Sequence, residues 1–173
     1  MVLSAAVTVV GLLGLLNLLL TLGLVRRLRE LEAGPAATPP RAGGLVVSAG
    51  AAVETHATVD VAGRPVLLPD PDASTVVGFF ATDCPSCADS IPAFLARAGR
   101  DRTVAVVTGP RDDDDAYVRR LAPAGRVVAD GDADGLVGAF QVRAYPAFVR
   151  LDPDGTVRAS GHSLGDVPDT VTA

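Results

Sequence analysis

The only two cysteines of this chain, Cys84 and Cys87, stand between an apolar, β-prone run at residues 75–80 and a helix-like run at residues 88–98. A buried strand that turns directly into a helix leaves little freedom at the junction, and here the junction carries Cys84-Pro85-Ser86-Cys87. The spacing puts the first sulfur at a helix N-terminus, where unpaired backbone N–H groups and the helix dipole favour a thiolate. Thiolate is the form that attacks disulfides, so the pair reads as a dithiol redox site. As a structural staple the pair would be poor, because closing so short a loop removes little unfolded-state entropy.

The rest of the chain alternates in a way that builds an α/β sheet. Residues 56–61 and 64–68 read as a hairpin around Ala62-Gly63. Residues 75–80, 103–108 and 126–129 are continuous apolar runs of the kind buried at the centre of a parallel sheet. Residues 88–98 (a helix interrupted by Pro92), 112–121 and 134–140 read as helices. Residues 147–151 and 156–160 form a second hairpin across Asp152-Pro153-Asp154-Gly155. Residues 166–171 hold about one helical turn. This order predicts a mixed sheet with helices on its faces, and in such sheets sites gather at the carboxyl ends of strands. Cys84 lies just past such an end.

Ahead of this domain, residues 2–25 contain no charge, and 24 helical residues reach about 36 Å, enough to cross a hydrocarbon core of about 30 Å. The segment lacks the basic n-region and short apolar stretch of a cleaved signal peptide, so it is expected to be a single transmembrane anchor. Residues 26–44, rich in Pro, Gly and Ala beyond Gly34, are expected to form a linker, and residues 45–173 the domain. Arg26, Arg27 and Arg29 follow the anchor, so positive-inside counting places the domain in the cytoplasm. A dithiol domain on an anchor argues for the oxidising, extracytoplasmic side, which is the side adopted here on the resemblance below. From residue 45 onward 11 arginines face 18 acids, a balance that argues against nucleic-acid binding.

These motifs together resemble membrane-anchored, thioredoxin-fold thiol–disulfide oxidoreductases of the TlpA, ResA and MauD type. The resemblance runs through Phe79-Phe80-Ala81-Thr82-x-Cys84-x-x-Cys87, Pro92, Val142-x-x-Tyr145-Pro146-Ala147-Phe148 and Leu151-Asp152-x-Asp154-Gly155. It implies a thioredoxin-like mixed sheet with Cys84 as the attacking thiol and Cys87 as the resolving one. Pro146 would be a cis-proline beside the pair, and Tyr145 and Pro146 would meet the substrate. No cofactor is implied beyond the redox-active Cys84–Cys87 disulfide, and no metal. The implied partners are disulfide-containing proteins and a membrane thiol electron carrier, with the bilayer held through residues 2–25.

The chain departs from that pattern in places. Phe80 and Asp83 stand where the family often has tryptophans, and Asp83 beside Cys84 is expected to raise the thiol's pKa. Gly78 and Ser90 stand where related proteins carry acids, so no proton-transfer group is evident. Two other functions fit parts of the pattern. Peroxiredoxins place a Thr three residues before the reactive Cys, whereas Thr82 is two before. Copper-delivering relatives add a distant histidine, for which His162 is the candidate, but separate their cysteines by three residues instead of two. Zinc would need His56 and His162 to complete four ligands. Asp130-Gly-Asp132-Ala-Asp134 begins like a calcium loop but has Gln141 where a bidentate Glu belongs, and reads as a turn capping a helix near Asp134.

Overall fold

The computed structural model describes Gly14, Asn17 and residues 44–98 and 102–168, with residues 111–115 described in their backbone only. The expected anchor at residues 2–25 and the linker at residues 26–44 lie almost wholly outside the described residues. Among those described, no helix is long and apolar enough to cross a membrane.

Within residues 44–98 and 102–168, seven strands and three α-helices follow one another as β1 (His56–Val59), β2 (Pro65–Leu68), β3 (Thr75–Ala81), α1 (Pro85–Ala98), β4 (Arg102–Thr108), α2 (Arg111–Leu121), β5 (Arg126–Val128), α3 (Asp130–Ala139), β6 (Ala147–Leu151) and β7 (Val157–Gly161). A short 3-10 turn, Leu164–Asp166, follows β7 where a helical turn at residues 166–171 was expected, and residues beyond 168 are outside the described set. β1 and β2 form their own antiparallel hairpin, and the main sheet runs β5-β4-β3-β6-β7. β3, β4 and β5 are parallel, while β6 and β7 are antiparallel additions on the other side of β3.

The period-2 geometry of β3 divides its side chains between two cores. Val77 and Phe79 pack with Val104, Val106, Val149 and, from α3 and the residue after it, Leu136 and Phe140. Val76 and Phe80 face the opposite side, with Ile91 and Phe94 of α1 and Tyr117 and Leu121 of α2. Every residue of β3 is buried, as a strand covered on both faces must be. The hairpin loop closes on Asp60, a buried carboxylate that accepts the backbone N–H groups of Ala62 and Arg64, each at 2.9 Å, and the Arg64 guanidinium at 2.7 Å.

Helices α1 and α3 differ from the sequence reading. α1 starts at Pro85, because proline is well suited to the first helical position, where its missing N–H has no partner to lose. It also continues through Pro92 without interruption. α3 starts at Asp130, so the Asp130–Asp134 stretch is the helix's own opening and not a turn before it. Asp130 and Asp132 stand in its first turn, where carboxylates favour the dipole, and no side-chain cap is formed.

Candidate active site

The β3 strand ends at Ala81, and the chain bends so that Cys84 donates its N–H to the Ala81 carbonyl at 3.2 Å. Cys84 thereby becomes the residue before α1, the position from which a side chain accepts hydrogen bonds from the first helical turn. Cys87 lies three residues on, at the point where its N–H faces back toward Cys84. The two sulfurs sit in contrasting places. Cys84 is half-buried, Cys87 has no exposed surface, and both thiols are free.

That contrast sets their acidities in opposite directions. Burial pushes the Cys84 thiol up, but hydrogen bonds from the Cys87 side chain, the Ser86 hydroxyl and the Cys87 backbone N–H outweigh it and leave the thiol below its ordinary value. The Ser86 oxygen stands 3.2 Å from Cys84 Sγ. The Asp83 carboxylate, exposed to solvent, also pushes Cys84 up, and is the weakest of these influences. The rise expected from Asp83 is thus overridden in the sum. Cys87 is pushed up to about 12, chiefly by burial and then by its hydrogen bond to Cys84.

The second wall of the site comes from far along the chain. β6 runs antiparallel to β3 with Phe79 opposite Ala147, so the residues just before β6 fall beside the end of β3. There the Tyr145–Pro146 peptide is cis, and the Tyr145 carbonyl lies 3.5 Å from Cys84 Sγ. The Leu68–Pro69 bond is also cis, which the sequence reading missed. His162, exposed just past β7, points Nδ1 at the Pro146 carbonyl from 2.7 Å. His56 lies on β1 in the separate hairpin. Among the described residues, no group of three or more His, Cys, Asp and Glu side chains converges as a metal site would require.

Two residues of α2 escaped the sequence reading. Tyr117 donates its hydroxyl to the Cys84 carbonyl at 3.4 Å, and Arg120 donates to the Ala88 carbonyl at 3.2 Å while its guanidinium stands 5.7 Å from the Tyr117 ring centre. Burial pushes the Tyr117 hydroxyl above its ordinary value, with the nearby Cys87 sulfur adding to the rise. The available signal was the one large ring in a short, strongly acidic helix.

No protein-family model and no curated protein matches this chain. Solved structures do. The thioredoxin domain of a thiol-disulfide oxidoreductase from Bacteroides vulgatus is 18% identical with a TM-score of 0.58, over 70% of this chain and 93% of that one. A thio-disulfide isomerase from Thermus thermophilus is 21% identical with a TM-score of 0.54, over 68% and 87%. A thiol:disulfide interchange protein of the thioredoxin family from Chlorobium tepidum is 20% identical with a TM-score of 0.52, over 76% and 94%. The fold is thioredoxin-like.

Within that thioredoxin-like frame, the two positions without acids have different explanations. A side-chain carbon at Gly78 would sit 2.7 Å from the Phe94 ring and 2.9 Å from the Phe80 ring. Both rings are fully buried and packed edge-on at 5.3 Å, so aromatic volume fills the space an acid would need. Ser90 instead turns its hydroxyl onto the Ser86 carbonyl at 2.8 Å, one turn back along α1. Asp89 is exposed on the helix surface.

Proposed function

We propose that this protein is a thiol–disulfide oxidoreductase that reduces or exchanges disulfides in partner proteins at a membrane surface. The observation that carries the reading is the asymmetry of the two sulfurs. Cys84 is accessible and held below its ordinary pKa, whereas Cys87 is buried and held at about 12. One thiol is therefore poised to attack while the other keeps its proton until needed.

In the reductive direction the Cys84 thiolate attacks a substrate disulfide. A Cys84–substrate disulfide forms, the substrate S–S bond breaks, and one substrate sulfur leaves and takes up a proton. Cys87 then loses its proton and attacks the Cys84 sulfur, giving the Cys84–Cys87 disulfide and a second free substrate thiol. Two electrons and two protons pass to the substrate. The pair returns to the dithiol by exchange with a reducing dithiol, for which a membrane thiol carrier is the proposed donor. Tyr145 and Pro146 present backbone to the substrate beside Cys84, and Asp83 opposes the thiolate. Residues 2–25 serve as a single-pass anchor, with the redox domain on the extracytoplasmic side.

Reduction of insulin disulfides, driven by dithiothreitol, should be lost in Cys84→Ser. Cys87→Ser should accumulate the mixed disulfide with substrate. Turnover that survives in Cys84→Ser would remove the proposal. The reduction potential of the pair separates a reductant, near about −270 mV, from an oxidant, near about −120 mV. Labelling Cys84 in intact cells with a membrane-impermeant thiol reagent reads which face it occupies, and protection from the reagent would reverse the proposed orientation.

A further inference from the structure

His162 belongs to neither sulfur, yet it is built into the wall of the site. Its Nδ1 stands 2.7 Å from the Pro146 carbonyl. A carbonyl oxygen only accepts, so Nδ1 carries the proton in this contact and Nε2 is left facing outward on an exposed ring. The sheet explains why a side chain is needed there. The ladder between β6 and β7 begins with Phe148 opposite Gly161, and that between β3 and β6 begins with Phe79 opposite Ala147. Pro146 lies one residue short of the pairing with β3 and two short of the pairing with β7, so its carbonyl falls outside the strand pairing, and the His162 imidazole supplies the donor.

The neighbouring carbonyl, of Tyr145, is the one that meets Cys84 Sγ at 3.5 Å. The cis peptide is therefore held from two sides, by the imidazole at Pro146 and by the thiol at Tyr145. The platform carrying His162 is itself fixed. Ser163 donates its N–H to the Asp166 carboxylate at 2.9 Å, and its hydroxyl accepts the Gly165 N–H at 3.2 Å. The Leu164 carbonyl accepts from Arg97 of α1 at 3.4 Å, and Val167 is fully buried in the same core as Cys87. An exposed histidine on so braced a turn has a defined direction, and that direction is the cis-proline loop.

We propose that His162 is a positioning residue that fixes the 145–146 backbone as a docking edge for an extended polypeptide. It governs capture of protein disulfides and leaves the thiol chemistry itself alone. The inference rests on the thiol–disulfide exchange reading and adds the residue that favours a polypeptide, which uses the loop backbone, over a small disulfide that needs only the sulfur.

The test compares the full-length wild type with His162→Ala, His162→Asn and His162→Gln on two substrates, insulin and hydroxyethyl disulfide. An Asn amide nitrogen takes the place of Nδ1, whereas a Gln amide nitrogen takes that of Nε2. His162→Ala should raise KM for insulin about three- to tenfold, the range one hydrogen bond supplies, with kcat within about twofold. Its turnover of hydroxyethyl disulfide and its rate of Cys84 alkylation by iodoacetamide should stay within about twofold of wild type. His162→Asn should recover most of the insulin KM and His162→Gln should not. An unchanged insulin KM in His162→Ala, equal losses on both disulfides, or an Asn variant no better than Ala overturns the proposal. Asn and Gln differ by one methylene at an exposed site, so a general folding defect would strike both alike. Failure of the exchange reading shows separately, as insulin reduction that persists in Cys84→Ser whatever stands at position 162.

Discussion

Pro92 removes the N–H that would otherwise reach the Ala88 carbonyl four residues back in α1. The structure fills that vacancy from another helix, with Arg120 donating to the Ala88 oxygen at 3.2 Å. The same guanidinium lies over Tyr117, whose hydroxyl reaches the Cys84 carbonyl. Truncating Arg120 to Ala removes both contacts. A hydrogen bond from a charged donor contributes about 1.5–3 kcal/mol when sheltered and less in the open, so this exposed one belongs near about 1 kcal/mol. The cation–π contact adds about 0.5 kcal/mol. Arg120→Ala should therefore cost about 1.5 kcal/mol in the wild-type background. In Pro92→Ala the N–H of residue 92 returns to the Ala88 carbonyl. The same truncation should then cost only about 0.5 kcal/mol, for the ring contact alone. Urea denaturation of the four proteins closes a double-mutant cycle, with an expected coupling of about 1 kcal/mol. A coupling within about 0.3 kcal/mol of zero would refute the compensation, because independent sites add to about that precision.

Three further outcomes are expected. Gly78→Ala should lose about 1–3 kcal/mol, since the added methyl meets two buried rings that have nowhere to go, and a urea midpoint equal to wild type would show that they do move. The pH midpoint of Cys84 alkylation should lie below that of the same thiol in the denatured chain. It should rise in Ser86→Ala and fall in Asp83→Asn, and a shift of the opposite sign in either variant would contradict the electrostatics of the site. Cys87 holds its proton to about 12 in the folded protein, whereas an unfolded thiol ionises near about 8.5. The reduced protein's stability is thus fully present below about 8.5 and falls as pH rises toward 12, because the unfolded chain releases its proton first. In a chain without lysine few other groups titrate in that window, so Cys87→Ala should flatten the decline, and a slope identical to wild type would assign it elsewhere.

What local chemistry controls was legible in the residues. The continuous apolar runs named β3, β4 and β5, because strands covered on both faces carry no polar side. Asp152-Pro153-Asp154-Gly155 named the last hairpin, which closes with the Gly155 N–H on the Asp152 carbonyl at 3.0 Å. The Cys-x-x-Cys spacing at a strand-to-helix junction located the dithiol. Helix boundaries were less legible, because Pro85 and Pro92 look alike in sequence. Pro85 costs nothing at a first turn, and the Ala88 carbonyl that Pro92 leaves without its helical donor is taken by Arg120 on α2.

By itself, the sequence determined that a cysteine pair sits where an apolar strand becomes a helix. The dipole and free N–H groups of that turn come with the local backbone. Only the tertiary structure decided what surrounds the pair. The antiparallel register of β6 on β3 carries Tyr145 and Pro146 to Cys84 across 61 residues of chain, and β7 then delivers His162 to the Pro146 carbonyl. The Asp83 charge could be read from adjacency, but the net acidity of Cys84 could not. It depends on burial and on which hydrogen bonds point at the sulfur, and both are set by how α1 seats against the sheet.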